Sequence, residues 1–110
     1  FHISDSEIAD GADCKIEDLT SKPLVNHFHL LIRRMMENGM DIIDITSKMK
    51  LVLEKNPDII IIADELGCGI VPMEKKDRLY REMTGRVCCV LAKEAKAVHR
   101  VICGIGMIIK

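Results

Sequence analysis

Four consecutive isoleucines, Ile59 to Ile62, run into Ala63-Asp64-Glu65-Leu66-Gly67-Cys68-Gly69-Ile70-Val71-Pro72, and this junction constrains the chain more than any other feature. The near-continuous apolar stretch from Asp58 to Asp64 reads as a parallel strand covered on both faces. A carboxylate just past such a strand, followed by two glycines spaced by one residue, is how open α/β sheets line a ligand crevice. Glu65 is the first candidate site residue, able to bind a ribose hydroxyl, hold a magnesium-bound water or orient a substrate hydroxyl. Gly67 and Gly69 allow positive φ or close approach of backbone to a ligand, and Pro72 fixes the exit of the loop. The plain alternative is a tight strand-to-helix connection carrying a solvated acid.

The remaining elements follow from periodicity and stop signals. Residues 1–22 are polar; Ser4 or Asp5 is expected to cap a short helical turn through Ala9 that Gly11 ends, with a second short helix from Lys15 to Thr20. The apolar residues after Pro23 suit a short strand, and a helix is expected from about His29 to Glu37, stopped by Asn38-Gly39. Ile42, Ile45, Met49, Val52 and Leu53 recur at spacings of three and four, the mark of a helix buried on one face, which Asn56-Pro57 ends. A long helix from about Glu74 to Lys96 should bury Tyr80, Met83, Val87, Val90 and Leu91. Gly85 in its middle suggests that a backbone or ligand passes close. Val98 to Ile102 reads as the last strand. The order strand–helix–helix–strand–helix–strand describes one α/β domain with a parallel sheet.

Composition excludes several classes of function. The formal net charge is −1 and basic residues gather on no one surface, which argues against a nucleic-acid partner. One Tyr, two Phe and no Trp leave little for base stacking. No apolar run approaches a membrane span, and no signal-peptide pattern opens the chain. The five cysteines form no CxxC pair and read as free thiols, consistent with a cytoplasmic protein. His27 and His29, two apart, could begin a zinc site or act as acid or base near phosphate, but no third ligand follows at a recognisable spacing, so no metal site is assigned. Arg78, Arg81 and Arg86 suit phosphate binding, although pairing of Arg78 with Glu74 or Glu82 on the helix surface is the simpler account. Cys88 and Cys89 point in different directions on a helix and are expected to pack rather than react.

Three blocks together are more specific than any one of them. Glu65-Leu-Gly-Cys-Gly-Ile-Val-Pro72 is followed by Arg78-Leu-Tyr-Arg-Glu-Met-Thr-Gly-Arg-Val87, and the chain closes on Cys103-Gly-Ile-Gly-Met-Ile-Ile-Lys110. This order, from about Ile59 to Lys110, resembles the C-terminal portion of the adenosylcobinamide kinase/adenosylcobinamide-phosphate guanylyltransferase family of cobalamin biosynthesis. The resemblance implies a three-layer α/β fold with a parallel sheet of P-loop kinase (RecA-like) type, here without its first strand and phosphate loop. Residues 1–110 would then be the C-terminal part of a longer nucleotide-binding domain. It implies phosphoryl transfer to adenosylcobinamide, with guanylyl transfer to the phosphate in members that retain it. Mg2+ with ATP or GTP, corrinoid and nucleotide ligands, and a homo-oligomer are implied in the same way.

Departures from the family pattern bear on both half-reactions. Asn26 falls where the family ends a strand in Asp or Glu associated with nucleotide binding; the amide can still bond a ribose but brings no charge. Asp13 is placed as an acidic nucleotide contact, and Asp64 stands for the usual Asn. The family's guanylylated histidine lies in a basic segment, whereas residues 1–22 are acidic and the surroundings of His2 do not match. That counts against guanylyl transfer. Gly-x-x-x-x-Gly-Lys-(Ser/Thr) is absent from these residues, and Phe1 is not an initiating residue, so either processing or a missing upstream segment is expected. No catalytic residue is assigned. The alternatives are a degenerate relative that binds nucleotide or corrinoid without turnover, and a structural interaction domain.

Overall fold

A computed structural model describes residues 7–63, 75–102 and 105–108. Three parallel strands form its sheet: β1 (Ile8–Asp10), β2 (Leu24–Asn26) and β3 (Ile60–Ile61), in that spatial order. Ala9 lies against Val25, and Val25 against Ile61, so β2 is central and its Val25 is fully buried. Parallel neighbours cannot be joined by a tight turn. A 3-10 turn (Ile16–Thr20) lies between β1 and β2, and two helices, α1 (Phe28–Glu37) and α2 (Ile42–Lys55), lie between β2 and β3.

Both helices have the boundaries that their sequences encode. α1 buries Phe28, Leu31, Ile32 and Met35, an i, i+3, i+4, i+7 stripe. It ends with Gly39 at φ +85°, while Gly39 N–H donates to the Met36 carbonyl at 2.9 Å and Met40 N–H to the Met35 carbonyl at 3.1 Å. That paired closure satisfies carbonyls the helix leaves open and needs a left-handed residue, which glycine supplies. α2 starts in a capping box, with Asp44 N–H donating to Asp41 Oδ1 at 2.9 Å, and buries Ile45, Met49 and Val52. Asn56 closes it and donates from Nδ2 to the carbonyls of Leu19 and Lys22, tying its end to the 3-10 turn.

α3 (Lys75–Glu94) packs on α1 and α2. Of its expected stripe only Val87 is fully buried; Tyr80, Met83, Val90 and Leu91 are half-buried. Gly85 is exposed, and a Cβ built there meets nothing within 4 Å, so the close approach expected at this glycine does not occur among the described residues. Glu82 pairs with Arg86 at 2.6 Å rather than with Arg78.

Three further expectations are corrected. Ile8–Asp10 is a strand, not the end of a helical turn, because pairing with β2 decides the conformation of so short a segment. The isoleucine run pairs only through Ile60–Ile61, both half-buried, and Ile62 is 45% exposed. Among the described residues β3 is an edge strand, so one flank lacks the neighbour that would cover it. The last strand does not join the parallel sheet: β4 (His99–Ile102) pairs antiparallel with β5 (Ile105–Ile108). Two intervening residues leave no length for the crossover a parallel neighbour requires.

Candidate functional site at the carboxyl ends of the strands

Asp10 and Asn26 are register partners at the ends of β1 and β2, where the two chains diverge. Gly11 N–H donates to the Asn26 carbonyl at 2.8 Å, holding the first turn against the second strand. Only glycine fits there: a Cβ would lie 2.0 Å from the His27 carbonyl oxygen and 3.1 Å from the Leu31 nitrogen, both backbone atoms. The turn then wraps around Asp10. Ala12 N–H donates to Asp10 Oδ1 at 3.0 Å, and Cys14 N–H to the Asp10 carbonyl at 2.8 Å. Arg34 reaches across from α1 and donates from Nη1 to the carbonyls of Gly11 at 3.0 Å and Cys14 at 2.6 Å.

His27 joins β2 to α1 in a left-handed conformation, φ 53° and ψ 43°. For a non-glycine residue this geometry costs roughly 1–2 kcal/mol and persists only when its surroundings determine it. They do: its N–H donates to Asn26 Oδ1 at 2.9 Å, its carbonyl accepts from Leu30 N–H at 2.9 Å, and Phe28 N–H donates to the Ile62 carbonyl at 2.9 Å. The His27 ring places Nδ1 3.2 Å from Asp10 Oδ1, with the side chains 44% and 48% exposed. Asp10 is held below the usual carboxylate range, first by the Ala12 N–H and then by His27. His29, buried in the first turn of α1, meets the His27 ring edge-on at 6.0 Å between centroids, and Tyr80 of α3 donates its hydroxyl to the His29 carbonyl at 2.8 Å.

Of the residues singled out from the sequence, Asn26 lies in this cluster, with its Oδ1 engaged by His27 N–H. Asp13 is exposed in the turn just beyond Asp10. Asp64, Glu65, Gly67, Gly69 and Pro72 lie outside the described residues; the chain leaves β3 toward them from the same end of the sheet. His27 and His29 do not share a strand face, since one is at the strand–helix junction and the other inside α1. Among the described residues no group of three or more His, Cys, Asp or Glu could hold a metal ion. Burial raises the Cys14 and Cys88 thiols above their ordinary value, as fits packing rather than reactivity. A cleft of about 470 Å3 on Arg33, Met36, Glu37, Lys76 and Leu79 sits along the second half of α1, away from the strand ends.

Asp10 escaped the sequence reading. Its signal is the tripeptide Ile8-Ala-Asp10, which recurs as Ile62-Ala-Asp64 where β3 gives way to the glycine loop.

The family model for cobinamide kinase / cobinamide phosphate guanyltransferase, CobU, matches residues 12–109. The bifunctional adenosylcobalamin biosynthesis proteins CobU of Escherichia coli (strain K12) and Salmonella typhimurium (strain LT2) are each 40% identical to the chain over 52 residues. Those residues are 47% of this chain and 29% of either relative, so the chain spans under a third of the length of the curated relatives it matches.

Proposed function

The chain belongs to the cobinamide kinase / cobinamide phosphate guanyltransferase family, and from that premise we propose that it forms part of an enzyme transferring a phosphoryl group from a nucleoside triphosphate to the hydroxyl of adenosylcobinamide. The observation that carries this reading is the convergence of Asp10, Asn26 and His27 at the carboxyl ends of adjacent parallel strands, with α1 starting there. Open α/β sheets bind their ligands at that edge. In this reading the parallel α/β layer is of P-loop kinase type, a reading that the family match supports.

In this reading Asn26 and Asp13 lie on the nucleotide side. Glu65, Gly67, Gly69 and Pro72 shape the loop that meets the acceptor or the nucleotide. The described residues do not form a magnesium cage. The donors expected for Mg2+ are instead the phosphates of ATP or GTP and water, as is usual where the ion arrives with its nucleotide. Phosphoryl transfer asks the protein for positioning and charge neutralisation more than for covalent chemistry. Assembly as a cytoplasmic homo-oligomer belongs to the same proposal. Among the described residues no helix is long and apolar enough to cross a membrane.

The test uses the full-length protein with ATP or GTP labelled in the γ-phosphate. Label is expected to appear in adenosylcobinamide phosphate. Binding of nucleotide or corrinoid without transfer would instead support a non-catalytic relative, a reading favoured by one feature: Asn26 places a neutral amide, already bonded to His27, where the family has a carboxylate. Absence of binding to either ligand would leave an interaction domain.

A further inference from the structure

We propose that His27, oriented by Asp10, is the general base that accepts the proton of the acceptor hydroxyl. The inference rests on the phosphoryl-transfer reading but assigns a role that the resemblance does not contain. An ionised carboxylate only accepts hydrogen bonds, so the 3.2 Å contact with Asp10 Oδ1 requires the hydrogen on Nδ1 of His27. In the neutral ring that leaves Nε2 as the proton acceptor. The ring is 44% exposed, so it is open to solute, and its orientation is set from several directions at once. Asp10 holds Nδ1, Asn26 holds the backbone N–H, and Gly11 packs on the carbonyl.

Arg34 fixes the turn that carries Asp10, through the carbonyls of Gly11 and Cys14. Among the described residues the ionisable groups that face the ring are Asp10 from β1 and His29 from α1; α3 contributes Tyr80, whose hydroxyl donates to the His29 carbonyl. Strained backbone at a strand end, a solvent-accessible ring and a carboxylate fixing its tautomer are together what an acid–base residue needs. A histidine kept only for packing needs none of the three.

In the step itself, the acceptor oxygen forms its bond to the γ-phosphorus as the bond between that phosphorus and the β,γ-bridging oxygen breaks. The nucleoside diphosphate leaves with the bonding pair. Nε2 takes the hydroxyl proton, and the imidazolium later returns it to solvent. Asp10 is a positioning residue that stabilises the charged ring.

The experiment measures kcat and KM of the full-length enzyme with adenosylcobinamide and its nucleoside triphosphate. His27→Gly should lower kcat about 100-fold with the nucleotide KM unchanged, and added imidazole should restore the rate in proportion to its neutral form. His27→Asn should show the same loss without rescue. Glycine and asparagine adopt the left-handed conformation more readily than histidine, so both variants should keep the fold. Asp10→Asn should lower kcat about tenfold and move the acid limb of the pH profile. A His27→Gly enzyme with wild-type kcat, or one that imidazole does not rescue, overturns the base role and leaves the kinase reading standing. A wild-type enzyme that binds nucleotide but transfers nothing overturns the kinase reading, and the base role with it. The wild-type profile is a further arm independent of any variant: kcat must fall with unit slope on the acid side, and a flat profile there overturns the proposal.

Discussion

The turn after β1 and the middle of α3 both contain a glycine, and the two are held very differently. Gly11 is buried against the backbone of His27 and Leu31, inside bonds that join β1, β2 and α1. Gly85 sits on an exposed helix face with open space above it. Around Gly11 local turn bonds are joined by contacts that reach Asn26, His27, Leu31 and Arg34 far along the chain, and the left-handed His27 sits among them. Among the described residues α3 is held by Val87 in the core, with Met83 and Leu91 packed against it, by Tyr80 on the His29 carbonyl, and by Lys96 just beyond its end on Asp58 at 2.8 Å. Thr84 even buries a hydroxyl for which the described residues offer no partner. Local unfolding should begin in α3, where among the described residues only Thr84 and Val87 are buried, and spare the strand-end cluster.

The contrast is sharpest if both glycines are changed to alanine. At Gly11 the new Cβ would sit 2.0 Å from a backbone oxygen with no flexible side chain to yield. Gly11→Ala should cost about 3 kcal/mol in urea unfolding and displace His27. Removing the clasp comes next: Arg34→Met loses two charge-assisted bonds to the Gly11 and Cys14 carbonyls. A loss of about 2 kcal/mol is expected, with faster hydrogen exchange at Ala12 and Cys14. If Arg34→Met is neutral, the turn is held by its own backbone bonds. At Gly85 the sign reverses, because nothing is displaced and helix propensity improves. Gly85→Ala should stabilise by about 1 kcal/mol; destabilisation would mean that an unseen neighbour occupies that face.

The smallest effect is a pH dependence. The Asp10 carboxyl is lowered from its ordinary 3.8, so the folded state binds its proton less readily than the unfolded chain does. Its contribution is therefore present above that ordinary value and lost as pH falls through the lowered one. Asp10→Asn should flatten the acid-side slope of stability in that window, measured by thermal melts below about pH 4. An unchanged slope would mean that the Ala12 and His27 bonds are not kept in solution.

α1 and α2 were legible because their information is local. The Ile42–Leu53 stripe and the Asn38-Gly39 stop lie within a few residues of what they specify. The long helix was legible in extent but only in part in burial, since Val87 is buried while Tyr80, Met83, Val90 and Leu91 are half-buried. Of the cluster, Asn26 was singled out through the family resemblance, whereas Asp10 was not singled out at all. A three-residue strand such as Ile8–Asp10 carries too little pattern to identify itself without its partner.

The sequence alone determined the α/β class, the order of elements from β2 to α3 and the family, because periodicity, caps and motif spacing are written along the chain. Only the tertiary structure decided that Ile8–Asp10 is a strand and that Asp10 meets His27 across seventeen positions of sequence. Those outcomes depend on which remote backbone satisfies a segment's hydrogen bonds, and no local pattern contains that partner.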